Sequence, residues 1–342
     1  MTLPSPARLA LGATLLLATA APAQQPAPAS AAGDSVLARG RALSDWSSLE
    51  SMTALHGAAS PELKQAIDGG GGPAGFVALI GGQLGKQVRV VDESTTVVNG
   101  IRTYMRLADH EKAPAIMTTI AWREDGTVLA AGARPSSAPI APPADAAPAY
   151  PVRLPFGAPG DGSWYTVWGG TNAARNYHVV SPTQRNAYDF LLMRDGRTLA
   201  GPADTLASYH CWGQAVLAAA DGVVTEAVGD LPDQAIGASD RANPSGNHVV
   251  LRHAADRHSV VAHLQKGSVT VTVGDSVRAG QPIGRCGNSG NTSEPHIHFQ
   301  LQTGATFAQG GVGVPSAFQN AIVDGHPARA GEPVRGQSVR PR

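Results

Sequence analysis

The sequence is short of charge, aromatics and cysteine, and each shortage removes possibilities. Only 15% of residues are charged, and the 26 basic side chains are matched by 26 acidic ones. No bulk field therefore draws the chain to nucleic acid or to an anionic membrane surface, and no nucleic-acid partner is expected. Apart from the amino-terminal stretch, no apolar run is long enough to cross a bilayer, so no transmembrane segment is expected. There is no HExxH pair, no GxSxG elbow and no phosphate-binding glycine loop, which leaves several common hydrolase classes without support. Two cysteines, Cys211 and Cys286, are too few for a disulfide scaffold.

Glycine and proline are abundant instead, at 40 and 26. That composition fits turn-rich β structure with linkers better than long helices. The opening "MTLPSPARLALGATLLLATAAPAQQ" has Arg8 as its only charge, an apolar stretch over residues 9–20 and small residues at Ala21-Pro22-Ala23. It reads as a signal peptide over residues 1–23. No cysteine follows the apolar stretch, so a lipid anchor is not indicated. The mature protein is expected to be exported, periplasmic or extracellular. In an oxidising compartment, Cys211 and Cys286 are consistent with one disulfide, two separate buried thiols being the other reading.

Composition shifts divide the rest. Residues 24–33 read as a flexible leader, and the Pro/Ala-rich stretch 136–151 as an extended linker. Between them, residues 34–135 begin with apolar spacing typical of helices and end in alternating strands, the last pair turning at Asp125-Gly126. This predicts a small α+β domain. It resembles, in pattern only, the cystatin-like or nuclear-transport-factor-two-like domains. His56 and His110 stand alone there and are expected at the surface. From residue 152 to 325 the chain reads as a mainly antiparallel all-β domain of short strands broken by glycine. Residues 326–342 are expected to form a disordered tail.

The segment "SEPHIHFQLQ" (293–302) places His296 and His298 on alternate positions of a strand-like run. Side chains two apart on a strand share a face and lie roughly 6–7 Å apart. Upstream, "NYHVVSPTQRNAYDF" supplies His178 and Asp189 beside apolar residues. Two histidines and a carboxylate with one position left open make a catalytic zinc set. A remaining histidine would then be free for proton transfer or oxyanion stabilisation. Glu294 lies before a proline and reads as a loop carboxylate. His248, His253 and His258 surround one predicted hairpin and are expected at the surface or behind the ligands.

The ordered series from "NYH" and "AYD" through "AADGVV", "AHL" and the glycine-rich hairpins to HxH resembles the lysostaphin/LytM-type zinc metallopeptidases over roughly residues 176–302. Most members of that family cleave peptides in bacterial peptidoglycan. The resemblance implies His178, Asp189 and His298 as metal ligands, with His263 and His296 as catalytic histidines that do not bind metal. Either of these two is the general base, or they share the role. In many members the early His and Asp are only a few residues apart, whereas ten residues separate them here. His210, in "SYHCWG", is the substitute ligand should the longer connection displace His178. The resemblance thus implies a zinc endopeptidase acting on peptidoglycan or another peptide substrate. Two rivals remain. One is a catalytically silent envelope protein that binds or activates a cell-wall hydrolase. The other is a biotinyl- or lipoyl-type carrier, suggested by "GDSVRAGQPIG" but lacking the turn lysine such a carrier requires.

Overall fold

A computed structural model of the chain describes residues 29–136, 148–309, 311–319 and 321–342. The expected signal peptide, half of the leader and most of the linker lie outside them. The chain divides into two compact units. One comprises the described residues up to Val91 together with Arg106–Ser136, and the other comprises Asp92–Met105 and the described residues beyond 137.

The first unit has helices α1 (Ala29–Leu43), α2 (Leu49–Ala58), α3 (Pro61–Gly69) and α4 (Gly72–Leu84). Residues 29–33 of the expected leader are thus helical, in keeping with alanine at 29, 31 and 32, the strongest helix former. Serines start two of these helices. The Ser48 hydroxyl accepts the Ser51 amide and the Ser60 hydroxyl accepts the Leu63 amide, each satisfying a donor that the first turn leaves unpaired. Strands β1 (Gln87–Val98), β2 (Ile101–His110), β3 (Ile116–Trp122) and β4 (Val128–Pro135) follow and lie in that order in one sheet. Met52, Leu55, Ile67, Ile120 and Trp122 are almost fully buried, and each such side chain contributes roughly 1.5–3 kcal/mol of transfer free energy. His56 meets Asp68 at 2.9 Å, while His110 is half-buried rather than at the surface.

The tips of β1 and β2 belong to the second unit. Asn99 and Gly100 both have positive φ, at 53° and 77°, the backbone required by a tight two-residue hairpin turn.

The second unit is built on an antiparallel sheet. At its centre Asn247–Ala254, Arg257–Leu264, Ile297–Gln302, Tyr188–Met193 and Ser163–Trp168 lie side by side. The run "IHFQLQ" explains the middle strand. Ile297, Phe299 and Leu301 enter an apolar cluster with Phe190, Leu192, Val249 and Val261. His298, Gln300 and Gln302 alternate with them and are also buried. The central strand is therefore dry on one face and polar but enclosed on the other. Cys211 and Cys286, both buried, are joined in a disulfide across 75 positions.

Residues 326–342 are not a disordered tail. Ser338–Pro341 pairs with Ser163–Trp168 and with Ala321–Val323, and Val339 and Arg335 are buried. The apolar Val339 and the partners of Arg335 hold a segment whose composition alone suggested disorder. Tyr150–Val152, at the end of the expected linker, is likewise a strand, parallel to Ser316–Phe318.

Candidate metal centre

Strand register assembles the centre. Asp189 and His298 face each other directly across Tyr188–Met193 and Ile297–Gln302, and His298 pairs with Ala262 on the other side. His178 comes from a short 3₁₀ turn, Tyr177–Val180, capped by Asn176. Ligand atoms of His178, Asp189 and His298 all lie within 4.8 Å of one another, and all three residues are buried. His210 is elsewhere, its imidazole under the influence of Arg194, Asp161 and Asp195. The long connection between His178 and Asp189 therefore does not displace His178.

Hydrogen bonds fix how each ring is turned. Asn176 donates its amide to the Gly170 and Ala187 carbonyls, so its Oδ1 must be the acceptor for His178 Nδ1, 2.8 Å away. Nε2 of His178 is left facing Asp189 Oδ2 at 3.5 Å. His298 donates Nε2–H to Gln300 Oε1 at 2.9 Å, Gln300 donates to Gln302, and Gln302 donates to the Gly304 and Thr306 carbonyls. Nδ1 of His298 then faces Asp189 Oδ1 at 2.9 Å. A lone pair held that close to a carboxylate oxygen calls for positive charge between them. A proton supplies it in the metal-free chain, and a divalent cation fits the same donor set of two imidazoles and one carboxylate.

The electrostatics agree. Burial lowers His298, but the hydrogen bond and charge of Asp189 outweigh it and the imidazole ends above its usual range. Burial drives His178 down to about 3 against the pull of Asp189. Asp189 is pushed up by burial, yet the surrounding His178, His296 and His298 hold it far below the carboxylate range.

His296 is the last residue before its strand rather than inside it. It still reaches the cluster, with Nε2 at 3.6 Å from Asp189 Oδ1, because Nδ1 is tied to the Glu294 carbonyl at 2.8 Å. His263 has φ +61°, a left-handed conformation that costs a non-glycine residue of order 1–3 kcal/mol. Three bonds enforce it: its amide to the Ser245 carbonyl, the Gly287 amide to its own carbonyl, and Nδ1 to the Ser289 carbonyl at 2.9 Å. A Cβ on Gly246 would collide with the Ser289 backbone, so glycine there lets that carbonyl sit under the imidazole. The His263 ring centroid is 4.7 Å from that of His296 and 5.8 Å from that of His298. Burial, reinforced by both neighbouring imidazoles, holds His263 well below its usual value.

A cleft of about 400 Å³ opens beside the cluster, lined by Trp168, Tyr177, Asp189, Gly237, Glu294 and His296. Tyr177 lies against His178 at 4.0 Å and meets Trp168 edge-on at 5.1 Å. The Arg335 guanidinium stacks over Trp168 at 4.3 Å. A larger hollow of about 600 Å³, near Asp221, Arg252 and Arg278, is lined by none of the cluster residues and is unrelated to it. His248 and His258 are buried rather than at the surface, since the hairpin that carries them is covered on both faces. His248 packs against Glu226 at 3.2 Å. Asn176, Gln300, Ser289 and Trp168 escape a search for ligand types. Their only sequence signals are Asn two before His178 and Gln at alternate positions after His298.

Residues 207–309 match Peptidase family M23. His263, His296 and His298 fall inside the matched span, and His178 and Asp189 are brought to it by the fold from upstream. The chain is 37% identical over 86 residues to endolysin 2638A of Staphylococcus phage 2638A, covering 23% of this chain and 18% of that protein. It is 39% identical over 57 residues to the peptidoglycan DD-endopeptidase ShyA of Vibrio cholerae, covering 17% and 13%. The antimicrobial peptidase lysostaphin from Staphylococcus simulans aligns with a TM-score of 0.27 at 19% identity, over 44% of this chain and 47% of that one. The chain thus spans less than a fifth of the curated relatives it matches. Among the described residues no helix is long and apolar enough to cross a membrane.

Proposed function

We propose that the protein is an exported zinc metalloendopeptidase that hydrolyses peptide bonds in bacterial peptidoglycan. The observation that carries the proposal is the meeting of His178, Asp189 and His298 within 4.8 Å, with His263 and His296 beside them. The M23 match and the named activities of the endolysin and the DD-endopeptidase support the substrate class. The signal-like residues 1–23 support export.

Zinc bound by His178 Nε2, His298 Nδ1 and Asp189 would lower the pKa of a water towards neutrality and polarise the scissile carbonyl. His263 and His296 each have Nδ1 tied to a backbone carbonyl, which leaves Nε2 as the working atom. As a neutral base, Nε2 accepts a proton; once protonated, it can donate to the developing oxyanion or to the leaving amine. The full set of histidines in working orientation favours this over a catalytically silent envelope protein. The amino-terminal unit, a cystatin-like or similar domain by its helix-then-sheet order, would bind or space rather than catalyse, as none of the candidate ligands lies there.

The test is digestion of purified peptidoglycan with and without a zinc chelator, with release of peptides followed by mass. His298→Ala should lose zinc. His263→Ala and His296→Ala should keep stoichiometric zinc and lose activity by about a hundred- to a thousandfold. Full metal occupancy in His298→Ala, or normal hydrolysis in either of the others, refutes the corresponding role.

A further inference from the structure

The loop that carries His296 is held from an unexpected direction. The β1–β2 turn reaches Thr198 through two bonds: the Thr198 amide donates to Asn99 Oδ1 at 2.8 Å, and Asn99 Nδ2 donates to Thr198 Oγ1 at 2.9 Å. The Asn99 amide also donates to the Gly196 carbonyl at 3.0 Å. With its oxygen accepting from Asn99, the Thr198 hydroxyl directs its proton to Glu294 Oε2, 2.9 Å away. The backbone carbonyl of this same Glu294 accepts His296 Nδ1–H, and the Thr292 hydroxyl donates to it as well. Donation thus runs from the hairpin tip through Thr198 to the Glu294 carboxylate, and the same residue accepts again, at its backbone carbonyl, from the imidazole.

We propose that Asn99, Thr198 and Glu294 form a positioning chain that fixes the ring orientation and tautomer of His296. Thr198 is 2% exposed, and among the described residues its hydroxyl is the hydrogen-bond partner of the Glu294 carboxylate. A buried hydroxyl satisfied on both sides is rigid, and a rigid acceptor carbonyl keeps the proton on Nδ1 of His296 and the lone pair on Nε2. Loss of the hydroxyl frees the Glu294 side chain and lets residues 291–295 shift, which a hydrogen bond made at one carbonyl cannot survive unchanged. The hairpin 92–105 would then be part of the catalytic scaffold, although it lies some two hundred residues from His296 in sequence and outside the M23 match. The asparagine is itself suited to its place, since its φ of +53° is a conformation that asparagine and glycine tolerate best.

The kinetic consequence rests on the peptidase reading, but the tautomer does not, and the experiment measures both. Zinc-loaded full-length protein is compared with its Thr198→Val, Thr198→Ser and Asn99→Gly variants. Imidazole ¹⁵N NMR reports the His296 tautomer and exchange of its Nδ1–H; kcat and KM are measured separately on soluble cross-linked muropeptides. Thr198→Val should expose Nδ1–H to exchange at least about tenfold faster and lower kcat about ten- to a hundredfold, the usual cost of removing an orienting partner. KM and zinc content should stay within about twofold. Thr198→Ser restores the hydroxyl and should restore both readouts, which a merely steric role of threonine would not allow. Asn99→Gly keeps the turn and should shift both readouts in the same direction by less, providing the test if Thr198→Val folds poorly. An unchanged Nδ1–H and kcat in Thr198→Val, or failure of serine to rescue, overturns the proposal. Absence of cleavage by the wild type would sink the peptidase reading while the exchange data still decide the positioning chain.

Discussion

Replacing Gln300 with methionine isolates what the buried glutamine ladder does. Methionine preserves volume and apolar contact but removes the oxygen that accepts His298 Nε2–H. Two costs follow, and they fall on different measurements. Without its acceptor, His298 is free to move its proton to Nδ1, the atom that faces Asp189, and must give it up again to bind metal. Loss of such an outer partner typically weakens metal binding about ten- to a hundredfold, or ~1.4–2.7 kcal/mol. Separately, the Gln302 oxygen loses the Gln300 amide in a site where Gln302 is fully buried, and an orphaned buried acceptor costs about 1–3 kcal/mol of folding stability. Chelator competition measures the first cost, and urea unfolding of the metal-free protein measures the second. Gln300→Glu, which keeps an acceptor, should hold zinc better than the methionine variant. If Gln300→Met loses stability as expected yet binds zinc within about twofold of wild type, the ladder is a packing feature and the tautomer argument fails.

Two further perturbations probe the second unit away from the centre. The Cys211–Cys286 bridge closes a loop of 75 positions, so the double Cys→Ser variant should lose roughly 4 kcal/mol on the chain-entropy account; a loss under about 1 kcal/mol by urea unfolding would show that the bridge constrains little. Asp92 is pushed up by burial, but Arg175, paired at 2.6 Å, and Asn172 bring it below its usual value. A lowered folded carboxyl adds stability that is complete above the ordinary carboxylate pKa of 3.8 and is lost as pH falls through the lowered one. The stability gap between wild type and Asp92→Asn should therefore be constant near neutrality and shrink below pH 3.8; a gap independent of pH down to acid unfolding would refute the assignment.

How much of this could be read in advance differs from residue to residue. The alternation in "IHFQLQ" is local, so one dry and one polar face follow from the strand period alone. The union of His178 with Asp189 follows from residue type and resemblance rather than from spacing, because the ten intervening residues carry no spacing rule; the 3₁₀ turn and its Asn176 cap perform it. The carboxyl-terminal segment misled for the opposite reason. Its Gly, Pro and Arg content resembles a tail, yet Arg335 finds Ser94, Thr96, the Val167 carbonyl and the face of Trp168. Those partners lie far away in sequence, so no local window could reveal them. The contact of the Asn99 side chain with Thr198 is equally remote, joining residues 99 positions apart.

The charge balance of the centre follows from the kind of acceptor each imidazole was given. His178, His298, His263 and His296 are tied at their far nitrogens to Asn176 Oδ1, Gln300 Oε1 and the Ser289 and Glu294 carbonyls. All four acceptors are neutral. A carboxylate in any of those places would orient the ring as well, but it would also add negative charge and favour the imidazolium. Neutral carbonyls fix the tautomer and leave Asp189 as the only carboxylate among the candidate ligands. The remaining nearby carboxylate, Glu294, is turned towards Thr198 and offers His296 only its backbone oxygen. A divalent cation held by two neutral imidazoles and one carboxylate keeps a net positive charge. That is the sign needed to stabilise an oxyanion forming on the substrate, and a second carboxylate ligand would cancel it.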